Sequence, residues 1–153
     1  MPEADDTFLE YLAEADRLVV EQYPDAQFYE ADNLNAGRPG SQWRFVFNDP
    51  STSPNSTVII ERLERGFGEP REIPEPWVGD RVIKLPITLG LEDARALCER
   101  GGCRGEVRAI VLRHPLYPGV NEPYYIFTMP GERRRCWVGI VSGEVQCAPI
   151  EGG

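Results

Sequence analysis

One order of elements is written twice along this chain: an amphipathic helix and three extended segments at 7–63, then the same order at 91–145. Recurrence on this scale points to one packing unit used twice, because a sheet with an apolar face needs a helix to cover it. At 153 residues the chain has the length of one ordinary domain. The expectation is therefore one compact domain, 1–153, made of two half-units at about 7–65 and 88–148 joined by a connector at 66–87.

In the first unit, Thr7 and Glu10 have capping-box spacing, and Phe8, Tyr11, Leu12, Ala15, Leu18 and Val19 follow the three-four step of a helix over 7–22. Tyr23-Pro24-Asp25 ends it, because the residue before proline avoids helical geometry. Strands follow at 27–31, 42–48 and 57–63; in the second, Trp43, Phe45 and Phe47 alternate with Gln42, Arg44, Val46 and Asn48, the mark of a strand with one strongly buried face. The connector carries Pro70, Pro74, Pro76 and Pro86 around Trp77; each proline removes a ladder donor, so this stretch is expected on the surface between the units rather than inside a sheet. The second unit reads as a helix at 91–100 ended by Gly101-Gly102, then strands at 106–113, 124–129 and 136–141, with Ser142-Gly143 turning into 144–147. The fold class is α+β: two α-β-β-β units, helices packed on antiparallel sheet, with the sheets joined edge to edge within the molecule or between subunits, since open edges are a liability.

Charge excludes one class of partner. Of a formal net charge of −9, all falls in residues 1–32, where ten acidic groups face the single basic Arg17. Such a segment repels phosphate backbones, so nucleic-acid binding is not expected. No apolar run approaches the length of about 18 residues needed to cross a bilayer, so no membrane partner is expected and the chain reads as soluble. Met1-Pro2-Glu3 suits a cytoplasmic start, and equally a mature secreted chain with an added Met.

All four cysteines, Cys98, Cys103, Cys136 and Cys147, lie in the second unit. Cys98 and Cys103 straddle a helix end, and Cys136 and Cys147 flank the Ser142-Gly143 turn, so two local disulfides, Cys98–Cys103 and Cys136–Cys147, are expected if the thiols oxidise. Free thiols are the alternative, and the outcome decides the compartment: secreted with disulfides, cytoplasmic without. The paired CxxC knuckles of structural zinc are absent, and no metal or cofactor is expected.

The helix-then-meander order and the ending Trp137-Val138-Gly139-Ile140-Val141-Ser142-Gly143-Glu144-Val145 resemble PepSY-like domains, small cystatin-like sheets wrapped on a helix and sometimes found in tandem. The resemblance covers about 88–147 and is topological over 7–63. It implies a non-catalytic binder or inhibitor.

Chemistry-bearing patterns are few. His114 is the only histidine, in Arg113-His114-Pro115, with no nucleophile beside it in sequence. Glu61 and Glu64, and Glu69, Glu72 and Glu75, supply carboxylates whose spacing sets up no cleft. Neither GxxxxGK nor GxGxxG occurs. The segment 114–129 instead sets Tyr117, Tyr124, Tyr125 and Phe127 among Pro115, Pro118, Asn121 and Pro123, rigid aromatic area beside small polar groups. In a regular strand, Phe127 and one of the adjacent tyrosines face the core. Arg133-Arg134-Arg135 reads as a solvated hairpin, Asn55-Ser56-Thr57 as a glycosylation sequon only if secreted, and Glu151-Gly152-Gly153 as a frayed end. The expected function is a non-enzymatic module that recognises a protein or peptide through a sheet edge or the Tyr-rich loop, with Trp77, His114, Tyr117, Asn121 and Tyr124 as ligand-binding residues. A small lectin stacking Trp77, Tyr117 and Tyr124 on sugars is the alternative, and a hydrolase built on His114 or paired carboxylates the third; a homodimer through a sheet edge fits the first.

Overall fold

The computed structural model describes residues 7–36 and 42–150. Two helices lie on one face of a nine-stranded sheet, as an α+β architecture of this pattern requires. Helix α1 spans Thr7–Gln22, followed by β1 (Gln27–Asn33), β2 (Trp43–Asp49) and β3 (Ser56–Leu63). Thr7 is already the first helical residue, so the expected cap falls at the border of the described residues. Helix α2 (Leu91–Arg100) opens the second unit, with β6 (Ala109–Arg113), β7 (Tyr124–Met129), β8 (Arg134–Gly139) and β9 (Val145–Pro149). With β4 (Gly66–Phe67) at one edge, the strand order is β4-β3-β2-β1-β6-β7-β8-β9, the pairings are antiparallel, and the units join within the chain where β1 pairs with β6.

The register explains the core. Ile60, Phe45, Ala31, Leu112, Tyr125, Val138 and Val145 sit opposite one another on successive strands, a row that crosses both units on the helix-covered face. Six of these seven are buried. From α1, Phe8 presses its ring on Trp43 at 4.6 Å and meets Tyr125 edge-on at 5.8 Å, so one helix side chain touches both halves of the sheet. Tyr125 and Phe127 both face inward, and the buried Tyr125 hydroxyl donates to Leu89 O at 2.8 Å. Gly101 closes α2 through N–H bonds to Leu97 O and Cys98 O, freeing the chain to turn under the sheet.

Two expectations need correction. The Pro-rich connector is not wholly outside the sheet: β4 (Gly66–Phe67) and β5 (Arg71–Ile73) pair with β3, while Pro70 and Pro74 stand just outside β5. Proline excludes only central positions, and these are short edge strands. The cysteines pair across the fold, not locally, as Cys98–Cys136 and Cys103–Cys147. Cys136 and Cys147 do face one another on β8 and β9, but directly opposed residues point their Cβ atoms the same way, about 5 Å apart, wider than a disulfide spans. Both face the end of α2, where Cys98 in its last turn and Cys103 just beyond it supply their partners. With every described thiol oxidised, none is left as a thiolate to hold zinc. Of the Gly/Asn/Pro loop expected over 33–40, Asn33 instead closes β1 and 34–36 form a turn, while residues 37–41 and the Gly-Gly end lie outside the described residues.

Candidate functional site

The sheet face away from the helices carries the charge. Its register row runs Glu61, Arg44, Asp32, Val111, Ile126, Trp137 and Gln146 from β3 to β9. A β-bulge at Tyr29, where two residues of β1 oppose one of β2, lets Phe28 face the core while Glu30 joins Asp32 on the open face.

The first-unit end of this face is sealed by residues 77–80. Arg113 Nε donates to Asp80 Oδ1 at 2.6 Å and its Nη2 to Gly79 O at 2.8 Å; Trp77 Nε1 donates to Asp80 Oδ2 at 2.7 Å. Arg44 donates to Asp32 at 2.7 Å and stacks its guanidinium over the Trp77 ring at 5.6 Å. Both aspartates are buried, and each is held by an arginine, as a buried carboxylate requires a partner. Glu30 sits between them, and among the described residues no ion pair engages it. Burial, then the neighbouring Asp80 and Asp32 carboxylates, push its pKa up to about 9, so it is a neutral acid at physiological pH. With both aspartates held by arginines and Glu30 hydrogen-bonded between them, the cluster forms a hydrogen-bonded plug.

Beyond the plug the face is uncovered, forming a groove of about 530 Å³. Val111, Ile126 and Trp137 make its floor, with Leu34 and Tyr117 at its margin and Arg135 among its lining. Leu34 and Tyr117 are 62 % and 60 % exposed. Tyr124 braces Trp137 edge-on at 5.8 Å. No ion pair engages Arg135 among the described residues, so with Glu30 neutral the groove carries surplus positive charge.

The residues expected from sequence divide between places. Tyr117 lines the open groove and Tyr124 supports it; Trp77 is tied into the plug rather than lying over the helix-covered core. His114 and Asn121 line a different cleft, with Lys84 and Glu122. The described hydrogen bond of His114 goes to its neighbour Pro115, not to a nucleophile. Trp137, Arg135, Glu30, Asp80 and Lys84 were not foreseen as site residues, although the burial of Cys136 and Val138 would have sent Trp137 outward by strand alternation.

One support of this region is testable by packing alone. Glu122 accepts bonds from Val141 N (2.7 Å), Ser142 N (2.9 Å) and Ser142 Oγ (2.6 Å), tying the loop before β7 to the turn after β8. Burial works to raise its pKa, but these donors and nearby His114 outweigh that and hold it below the usual range. A Cβ on Gly139 would stand 2.5 Å from the Glu122 carboxylate. Gly139→Ala is therefore expected to expel Glu122 and lower stability by about 2 kcal/mol, measured by urea unfolding. The double variant with Glu122→Ala should lose far less than the sum, because both changes remove the same contacts of the Glu122 carboxylate.

No protein-family model matches the chain, and no curated protein matches its sequence. Among solved structures, a "putative lipoprotein" from Clostridium difficile 630 is similar, with a TM-score of 0.60 and 13% identity over 89% of this chain and 91% of that one. At this identity the likeness speaks to fold alone. Among the described residues no helix is long and apolar enough to cross a membrane.

Proposed function

We propose that the chain is a non-enzymatic binding module that takes an extended acidic protein segment on the open face of its sheet. The observation that carries this reading is the uncovered groove itself. It has an apolar floor centred on Trp137, exposed apolar margins at Leu34 and Tyr117, and a free cation at Arg135. Aromatic and arginine side chains dominate the energetics of recognition surfaces, and a groove whose own carboxylates are neutral or paired favours an acidic partner. The resemblance of 88–147 to PepSY-like units points the same way. Two disulfides suit an oxidising compartment, so the partner is sought outside the cytosol.

Selection of linear peptides from a random display library on the intact protein tests the reading. The expected result is enrichment of acidic sequences with an aromatic or aliphatic anchor. Trp137→Ala should weaken them by roughly 2 kcal/mol, about 30-fold in Kd, with an unchanged circular dichroism spectrum. Enriched peptides that bind Trp137→Ala as well as the parent would contradict it. The lectin alternative draws on the same aromatics, Tyr117, Tyr124 and Trp137, and a glycan array separates the two: sugar binding lost in Tyr117→Ala would favour the lectin.

A further inference from the structure

Past Asp80 the chain runs along the side of the sheet in extended form. Arg81 N donates to His114 O at 2.9 Å and Ile83 N to Phe28 O at 2.8 Å. Ile83 is 2 % exposed and belongs to the core, so alternation sends its neighbours Val82 and Lys84 the other way. They enter a cleft of about 490 Å³ whose walls also include Ile87, His114, Asn121, Glu122 and Ile140, a size suited to a small organic ligand. It shares no lining residue with the open groove.

The groups in this cleft are chemically complementary to one another. Lys84 is the only lysine of the chain, and no ion pair engages it among the described residues. Glu122, the acid of the cleft, does not neutralise it, because its carboxylate is turned to Val141 and Ser142. His114 Nδ1 lies 3.1 Å from Pro115 O. A carbonyl only accepts, so Nδ1 carries a hydrogen, and in the neutral imidazole Nε2 is then the acceptor for an N–H or O–H. Val82, Ile87 and Ile140 give the cleft an apolar side.

We propose that this cleft is a second binding site, for an N-acylated α-amino carboxylate with an apolar side chain: the chemistry shared by the C-terminal residue of a polypeptide and a free N-acyl amino acid. Lys84 pairs with the carboxylate, His114 Nε2 accepts the amide N–H, and the side chain lies against Val82, Ile87 and Ile140. The inference stands apart from the open-face reading, and Trp137→Ala leaves it untouched.

Titration of the full chain by nuclear magnetic resonance, with N-acetyl-leucine, a short peptide ending in leucine, and that peptide as its C-terminal amide, tests the site. The acids are expected to saturate, shifting the backbone amides of Thr88, Asn121 and Ile140, with the amide at least about tenfold weaker. A peptide acid much tighter than N-acetyl-leucine identifies a chain terminus as the ligand; equal affinities identify the free acid. Lys84→Met should erase the preference for acid over amide and Lys84→Arg keep it, Lys84 being exposed. Equal binding of acid and amide, a preference that survives Lys84→Met, shifts elsewhere on the surface, or no saturation at millimolar acid would each overturn the proposal.

Discussion

Replacing Cys98 and Cys136 together by alanine is expected to lower the unfolding free energy by about 4 kcal/mol. The bond joins residues 38 apart, and cutting a loop of that length restores roughly this much entropy to the unfolded chain. Cys103 and Cys147 are 44 apart, and removing them should cost about as much on the same grounds. The two bonds differ in access. Cys98, Cys103 and Cys136 are buried, whereas Cys147 lies exposed on the outer strand β9. Mild thiol reductant should therefore open Cys103–Cys147 first, because exchange needs a sulfur within reach of the attacking thiolate. Peptide mapping of partly reduced, alkylated protein reads this order, and urea midpoints of the two double variants read the energies. Intact mass about four hydrogens below that of the reduced chain accompanies the native pairing. Label appearing first at Cys98 and Cys136, or unchanged midpoints, would contradict the crossed bonds as the staples of α2 to the sheet.

Glu30→Gln is expected to stabilise the protein at pH 8, and the sign follows from linkage. Glu30 keeps its proton in the native state up to about pH 9, whereas an unfolded glutamate releases it near 4.5. Between these values the unfolded state binds fewer protons, so stability falls as pH rises; this group's contribution is intact below about 4.5 and has declined fully by about 9. A shift of this size corresponds to about 6 kcal/mol at its upper limit. Glu30 is only half-buried, so solvent screening reduces the expected gain to about 2 kcal/mol, or roughly 6 °C in Tm. The glutamine amide can still donate to the Asp32 or Asp80 carboxylates, so the plug should survive. Thermal melts from pH 5 to 9 should show a declining Tm for the parent and a flatter profile for the variant. A destabilised variant, or two parallel profiles, would mean that Glu30 is already ionised at neutral pH in the native state.

The helices and core were legible because periodicity speaks directly to burial. Helix α1 begins at Thr7 and ends at Gln22 where Tyr23-Pro24 stops it, and β7 spans Tyr124–Met129 with Tyr125 and Phe127 inward, as alternation requires. The open face was not legible, and a single residue explains much of that. Without the bulge at Tyr29, strict alternation would put Glu30 on the same face as Phe28, inside the core. No local signal in Gln27-Phe28-Tyr29-Glu30 marks the bulge, so the carboxylate cluster Glu30, Asp32 and Asp80 stayed hidden. Asp80 and Arg113 are 33 residues apart, and only the strap along the sheet brings them together. The disulfides were misassigned for a related reason: proximity along the chain favoured Cys98 with Cys103, while the packing of α2 over β8 and β9 decides the partners. Tyr117 and Tyr124 stand out in the sequence because aromatic residues beside prolines mark a rigid surface, whereas Trp137, set in an apolar run, carries no signal of which face it takes.

The most direct test of the open face as a binding surface is a backbone-amide footprint of a selected acidic peptide on the full chain. The account predicts shifts concentrated at Val111, Ile126, Thr128, Arg135 and Trp137, with α1 and α2 silent. Shifts confined to the helices or to the outer edge of β9 would contradict it, and would move recognition from the sheet face to another surface.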